Sequence, residues 1–338
     1  MPAQFANSQT VAMLRGLFMK SSRRKFLKVA GAAAGMVTAA TSFWAGFSNS
    51  RRARMVRQLV RDTTRTPAPP PAIPTPDTWD DNRVTFAWLG HATVLINFYG
   101  VRILTDPAFS ERVGIDLCVG TLGPKRYVAP ALPFDQLPPI DLVLLSHAHM
   151  DHMDLPTLSR FKSAQAVITA KDTTEILQPT KLQPLDELGW GDATTLKTPR
   201  GELRVEAFEV KHWGNRWPGD KDRGYNGYIL RREGRAILFG GDTAMTPLFR
   251  NLRSGGPYAA AIMPVGAYNP WIHAHCTPEE ALQMADDAGA QLIAPIHHAT
   301  FKLSDEPMTE PLERIEQALA QERDRLALKQ IGGTVVLA

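Results

Sequence analysis

The sequence predicts a layered α/β sandwich folded as one body of about 260 residues. Three observations lead there. Apolar, β-rich runs recur in both halves of the chain, helical stretches interleave with them, and no segment repeats. With 338 residues, 44% of them hydrophobic, the chain fills a core of that size without disulfide staples.

The elements follow in order. Val84–Leu89, Ala92–Phe98 and Val101–Thr105 are strands, the last two joined by a turn at Tyr99-Gly100. Leu142–Ser146 is a continuous apolar run, the signature of a strand buried on both faces. Ala166–Ala170 is a short strand and Leu203–Lys211 a weakly alternating one. Gly227–Arg232 and Arg235–Phe239 flank Glu233-Gly234 as a hairpin, and Ala259–Val265 and Gln291–Ile296 close the set. Helices are expected at Leu155–Arg160, Pro278–Ala288 and Glu310–Arg325. Thr277-Pro278-Glu279-Glu280 is a helix start, with Thr as N-cap, Pro at the first position and acids facing the dipole.

The front of the chain reads differently. Ser22-Arg23-Arg24-Lys25-Phe26-Leu27-Lys28 precedes an apolar run from Val29 to about Phe47. This order of charge and hydrophobicity marks an export signal, and the segment resembles a bacterial twin-arginine signal. The resemblance implies engagement of the twin-arginine export machinery and export of the folded protein to the periplasm. Val37-Thr38-Ala39 suits a signal peptidase. Left uncleaved, about 19 mostly apolar residues would hold the protein at the periplasmic face of the inner membrane. Met19 offers an alternative translation start. Residues 1–47 are thus expected to be signal or anchor. Residues 48–77 are expected to form an Arg-rich, then Pro-rich linker, with six prolines between Thr66 and Pro76, and residues 78–338 the folded body.

The first 70 residues hold 12 of the 38 Lys and Arg and one of the 34 acids, so the remainder is acidic. An acidic body excludes a nucleic-acid partner. The Arg-rich stretch suits contact with an anionic membrane surface. Two cysteines, Cys118 and Cys276, cannot build a metal cage; they could pair in an oxidising compartment or remain two buried thiols.

None of the nine histidines precedes residue 91. Four candidate ligands crowd one stretch after the strand at 142–146: His147, His149, Asp151 and His152. Imidazole with carboxylate suits zinc or iron and disfavours calcium. His212, Asp242 and His297 each follow a further strand, and Gly240-Gly241 lets the backbone pack closely ahead of Asp242.

HxHxDH followed by single His, Asp and His ligands resembles the metallo-β-lactamase superfamily, over roughly residues 80–338. That resemblance implies a single-domain αββα four-layer sandwich with two divalent metals, most simply Zn2+, with iron or manganese as alternatives. His147, His149 and His212 would hold the first metal, and Asp151, His152 and His297 the second, with Asp242 bridging. His297 is preferred over His298 because Ile-His-His-Ala-Thr-Phe is similar to the family's Ile-His-Trp-Gly-Thr-Phe.

Trp88-Leu89-Gly90-His91-Ala92-Thr93, Asp106-Pro107, Gly123-Pro124-Lys125-Arg126-Tyr127, His212-Trp213, Gly241-Asp242-Thr243 and Pro264-Val265-Gly266-Ala267-Tyr268 resemble a narrower branch, the N-acylphosphatidylethanolamine phospholipase D-like enzymes. Met150, the stretch Arg223–Gly227 and Ile272-His273-Ala274 depart from its pattern.

The branch implies hydrolysis of a phospholipid diester by a metal-bridging hydroxide. Asp242 and Asp151 would serve in catalysis, and His275 as proton donor or phosphate contact. His91 is expected to support the ligands. Lys125-Arg126-Tyr127 is a candidate contact for an anionic head group, and Arg216-Trp217 a candidate pocket rim. A homodimer is compatible with the sequence. A lactonase or other ester hydrolase is the alternative enzyme, and a metal-binding envelope protein the non-enzymatic one.

Overall fold

The computed structural model describes residues 51–117, 120–161 and 166–337. The export segment, Met19 and Cys118 lie outside them. The chain divides into two units, Met1–Thr63 and Thr64–Ala338. The Arg-rich stretch is a helix, α1 (Arg51–Thr64), with a Gln58–Asp62 side-chain bond of 2.8 Å one turn apart. No helix of the described residues is long and apolar enough to cross a membrane.

Two mixed sheets form the second unit. The first contains, in spatial order, β15 (Thr334–Leu337), β1 (Val84–Gly90), β2 (Thr93–Phe98), β3 (Val101–Thr105), β6 (Leu142–Leu144), β7 (Ala166–Ala170) and β8 (Pro184–Leu188). The second runs β14 (Ala290–Ile296), β13 (Tyr258–Pro264), β12 (Arg235–Phe239), β11 (Asn226–Arg232), β10 (Gly201–Glu209) and β9 (Ala193–Thr198). Each sheet joins an antiparallel half to a parallel one. A separate hairpin pairs β4 (Ile115–Leu117) with β5 (Gly120–Leu122).

Side-chain alternation in the second sheet defines the layers. Tyr228, Leu230, Ile237, Phe239, Ala260 and Ile262 join the core between the sheets, beside Phe86 and Val143. Their neighbours Ile229, Leu238, Ala261 and Met263 turn outward onto Met284 and Ala285 of α4 (Pro278–Ala288) and Ile315 of α5 (Glu310–Leu319). Fully burying a side chain such as Phe239 contributes roughly 1.5–3 kcal/mol. Cover beyond the first sheet is slighter: Leu158 of the one-turn α2 (Leu155–Leu158), Phe161 and the helical turn at Phe134–Gln136. One further short helix, α3 (Phe249–Leu252), packs Phe249 into the outer core.

Thr277 caps α4 as expected: its Oγ1 accepts from the Glu280 backbone, and the Glu280 carboxylate accepts from the Thr277 backbone. The helix predicted over 310–325 ends at Leu319, because Ala320 takes a positive φ of 48°. The Pro-rich stretch is extended but does not hang free. Ala68 donates to the Tyr127 carbonyl and accepts from Ala129, and Ala72 donates to the Ile331 carbonyl.

Candidate metal centre

The chemistry-bearing residues gather where strands of both sheets end. His91 follows β1, Asp106 follows β3, and the loop Ser146–His152 follows β6. His212 follows β10, Asp242 follows β12 and His297 follows β14. Gly241, at φ 56°, turns the chain toward Asp242; an added Cβ there would lie 2.8 Å from both the Asn226 oxygen and the Ser146 Cβ. His91, Asp106 and His297 also sit at positive φ, of 53°, 33° and 63°. Such backbone costs on the order of 1–3 kcal/mol each and persists where the surroundings impose it. At His91 they do: its amide donates to Thr300 Oγ1, and its carbonyl accepts from Trp88 Nε1 and the His297 amide.

One cluster is all imidazole. His149 Nδ1 lies 2.8 Å from His147 Nε2 and 3.2 Å from His212 Nε2. The outward nitrogens fix the tautomers. His212 Nδ1–H donates to the Ala274 carbonyl at 2.8 Å, and His147 Nδ1–H donates to Ser146 Oγ at 2.9 Å, whose own proton goes to Asp106 Oδ2 at 2.6 Å. Both rings therefore present bare Nε2 lone pairs to His149. With two of the three converging nitrogens bare, a metal ion fits among them in place of a proton on His149 Nδ1. Burial first, then neighbouring imidazoles, lowers the pKa of His147. Burial likewise lowers His149, to about 4, and His212, against the pull of nearby acids.

The other cluster mixes charge. Asp151 Oδ2 lies 2.9 Å from His91 Nε2, 3.4 Å from His297 Nε2 and 3.7 Å from His152 Nε2. His152 Nδ1–H donates to Asp106 Oδ2 at 2.7 Å, which turns Nε2 inward. Burial opposes charge on His152 and His297, but Asp242 and Asp151 outweigh it, raising His152 above the usual imidazole range and His297 to about 9. The pocket thus favours positive charge where a metal would replace the protons. Asp242 Oδ2 joins the clusters, 3.1 Å from His297, 3.2 Å from His152 and 3.9 Å from His212. Buried His152 Nε2, His297 Nε2 and Asp242 Oδ1 lack hydrogen-bond partners, as atoms reserved for metals do.

His275 Nδ1 stands 3.7 Å from Asp242 Oδ2 and lines the cleft above the clusters; burial lowers its pKa to about 4. His298 stays out of the site and packs on Trp88. Sequence reasoning gave no role to Asp106, the buried anchor of Ser146 and His152; its only signal was the Asp-Pro pair after β3.

Lys125-Arg126-Tyr127 does not face the cleft as a head-group contact. Lys125 pairs with Glu111 at 2.5 Å, Arg126 is buried with Nη2 on the Ala108 carbonyl, and the Tyr127 ring carries Arg65. Cys276 is buried with its thiol on the Pro264 carbonyl, and burial pushes that thiol's pKa up.

An open cleft of about 690 Å3 lies over the clusters. Met150, Trp213, Arg216, Trp217 and Trp271 line it with Asp151, Asp242, His275 and His297, which bears out the Arg216-Trp217 rim.

The chain matches the β-lactamase superfamily domain over residues 101–298, more than half its length, and belongs to that superfamily. It is 28% identical over 252 residues to an N-acyl-phosphatidylethanolamine-hydrolyzing phospholipase D of Caenorhabditis elegans, covering 70% of each chain. It is 32% identical over 260 residues to the mitochondrial N-acyl-phosphatidylethanolamine-hydrolyzing phospholipase D of Saccharomyces cerevisiae, covering 73% of this chain and 54% of that one. A metallo hydrolase of Ignicoccus hospitalis shares the fold with TM-score 0.56 and 19% identity, over 75% of this chain and 98% of that chain. With its His/Asp clusters, the chain is a metal-dependent hydrolase of the superfamily.

Proposed function

We propose that this hydrolase is a dinuclear zinc phosphodiesterase acting on a phospholipid of the N-acylphosphatidylethanolamine class. The observation that carries the reading is Asp242 Oδ2, set 3.1–3.9 Å from imidazoles of both clusters on the floor of a cleft walled by Met150 and three tryptophans. Such a floor suits an anionic phosphoryl group, and such walls suit its hydrocarbon. The names of the two phospholipase relatives support the same substrate class.

His147, His149 and His212 would hold one metal, Asp151, His152 and His297 the other, and Asp242 both. When bound, two divalent ions acidify water and offset charge growing on the phosphoryl oxygens. The protein's own residues do the rest. Asp106 and Ser146 hold His147 and His152 in the tautomers that point Nε2 inward. His91 holds Asp151. His275, close to Asp242 and lining the cleft, is neutral at its lowered pKa and is placed to meet a phosphoryl oxygen through a ring N–H. The export reading belongs to the same proposal, with the enzyme in the periplasm or on the periplasmic face of the inner membrane.

The test is metal analysis joined to turnover of bis-p-nitrophenyl phosphate, N-acylphosphatidylethanolamine and a lactone panel. About two metals per chain are expected, with diester cleavage that falls at least a hundredfold in Asp242→Asn. Turnover of lactones alone would give the protein to the lactonase reading. Two bound metals with no turnover would leave it a metal-binding envelope protein.

A further inference from the structure

The loop after His212 is tightly built. At Gly214 an added Cβ would lie 1.8 Å from the Arg223 carbonyl oxygen, so a side chain there would force the two segments apart. The Asp220 carboxylate accepts from the backbone amides of Arg216 and Lys221, at 3.1 and 2.9 Å, and from the Arg223 guanidinium at 3.0 Å. Arg223, itself buried, donates onward to the Asp172 carbonyl and to Glu175, at 2.6 and 2.7 Å. The backbone of Arg216 therefore rises from a fixed platform.

Its side chain crosses to the loop that carries the ligands. Nη1 donates to the carbonyls of Ala148 and Met153, at 2.6 and 3.1 Å. Nε and Nη2 donate to no acceptor among the described residues, and no carboxylate there lies within salt-bridge distance of this guanidinium. Burial draws its pKa down to about 10, against the pull of Asp154 and Asp151, so the group stays cationic at neutral pH. Arg216 lines the cleft over the clusters and also a neighbouring, mainly apolar cavity of about 500 Å3, walled by Ile115, Leu155, Pro156 and Pro179 with Asp154 and Ser159 among them. Gly114, Met150 and Trp217 are common to both spaces. A held cation with uncommitted donors thus stands where the ligand floor meets an apolar side chamber. A neutral ester offers it only a carbonyl oxygen, whereas an anionic phosphoryl group adds charge and fits its planar fork.

We propose that Arg216 is the specificity-determining residue of the cleft, gripping a phosphoryl oxygen through its uncommitted N–H groups so that anionic diesters are taken over neutral esters and lactones. This assignment rests on the diesterase reading above. The phosphate would sit at the junction, and an apolar arm of the substrate would run into the side chamber.

The test compares the native full-length holoenzyme with Arg216→Gln and Arg216→Lys. It measures bound metal, calorimetric affinity for inorganic phosphate, and kcat/KM on bis-p-nitrophenyl phosphate and on the neutral p-nitrophenyl acetate. A charge-assisted hydrogen bond of ordinary strength predicts a ten- to hundredfold loss of kcat/KM on the diester in Arg216→Gln, carried mainly by KM. Phosphate affinity should fall about tenfold or more, the ester should change less than about threefold, and Arg216→Lys should recover part of the loss. Equal losses on both substrates, or loss of metal from both variants, would make Arg216 a clamp on the ligand loop and overturn the proposal. An unchanged diester rate would overturn it too. A native enzyme that cleaves no diester would sink the diesterase reading by itself. Phosphate affinity would then still decide Arg216: a drop sustains the anion site, and no change removes it.

Discussion

The two ligand clusters share a floor but not an electrostatic character. The inward nitrogens of His147, His149 and His212 face chiefly one another, with Asp242 at 3.9 Å from His212, and burial keeps all three neutral. His152 and His297 face two carboxylates that hold them charged. The difference teaches how one pocket can prepare two sites. The first offers free lone pairs and no charge, a place for an ion that bonds well to nitrogen. The second offers two carboxylates whose charge is already balanced by two imidazole protons, so a metal must displace them.

Asp106 is the strongest lever on that contrast, because it supports both sides through Ser146 and His152. Asp106→Asn keeps the shape and tolerates the positive φ but turns a donor toward groups that already donate. The expected cost is about 3–5 kcal/mol in urea denaturation, with metal lost from both clusters. If only the carboxylate cluster empties, the two are more independent than the shared anchor implies.

Acidity sharpens the contrast in the metal-stripped protein. His149 and His275 have folded pKa values of about 4, below the ordinary 6.5. Between those values the unfolded chain binds more protons, so stability should rise with pH by on the order of several kcal/mol. His297 runs the other way, from 6.5 to about 9. There the folded protein binds more protons, and stability should fall as pH climbs. A maximum near pH 6.5 is expected in urea titrations of the stripped protein; stability rising steadily to pH 9 would break the assignment of charge to the second cluster.

The smallest effect should come from His91→Asn. Asparagine accepts the left-handed backbone but cannot reach Asp151. Chelator competition should show the second metal equivalent bound roughly tenfold more weakly and the first unchanged. Equal weakening of both would mean that His91 braces the whole floor.

How much of this was legible follows from the kind of information each feature uses. The HxHxDH stretch and the strand-end positions of His212, Asp242 and His297 are local patterns. Core strands such as β13 read clearly because both faces are buried. The edge strands β8 and β9 did not, since Pro184, Asp186 and Lys197 give them the look of loops. β15, four residues at the end of the chain, is defined by its partner β1 rather than by its own pattern. The His91–Asp151 bond spans 60 residues and leaves no spacing to read. Arg126 misled because a basic pair beside tyrosine resembles a surface patch, while its burial depends on Ala108 and Phe301, far along the chain.

The candidate ligand set begins at the end of β6 and is completed only by His297, at the end of β14, the last strand of its sheet in chain order. A nascent chain on the ribosome could show His147, His149 and His152 long before that residue emerges. Early ions would meet a fragment of the site, and the full pair could be held only after synthesis has passed residue 297 and both sheets have docked. Metal loading would then report a finished fold, and the compartment where folding ends would decide which ions are on offer.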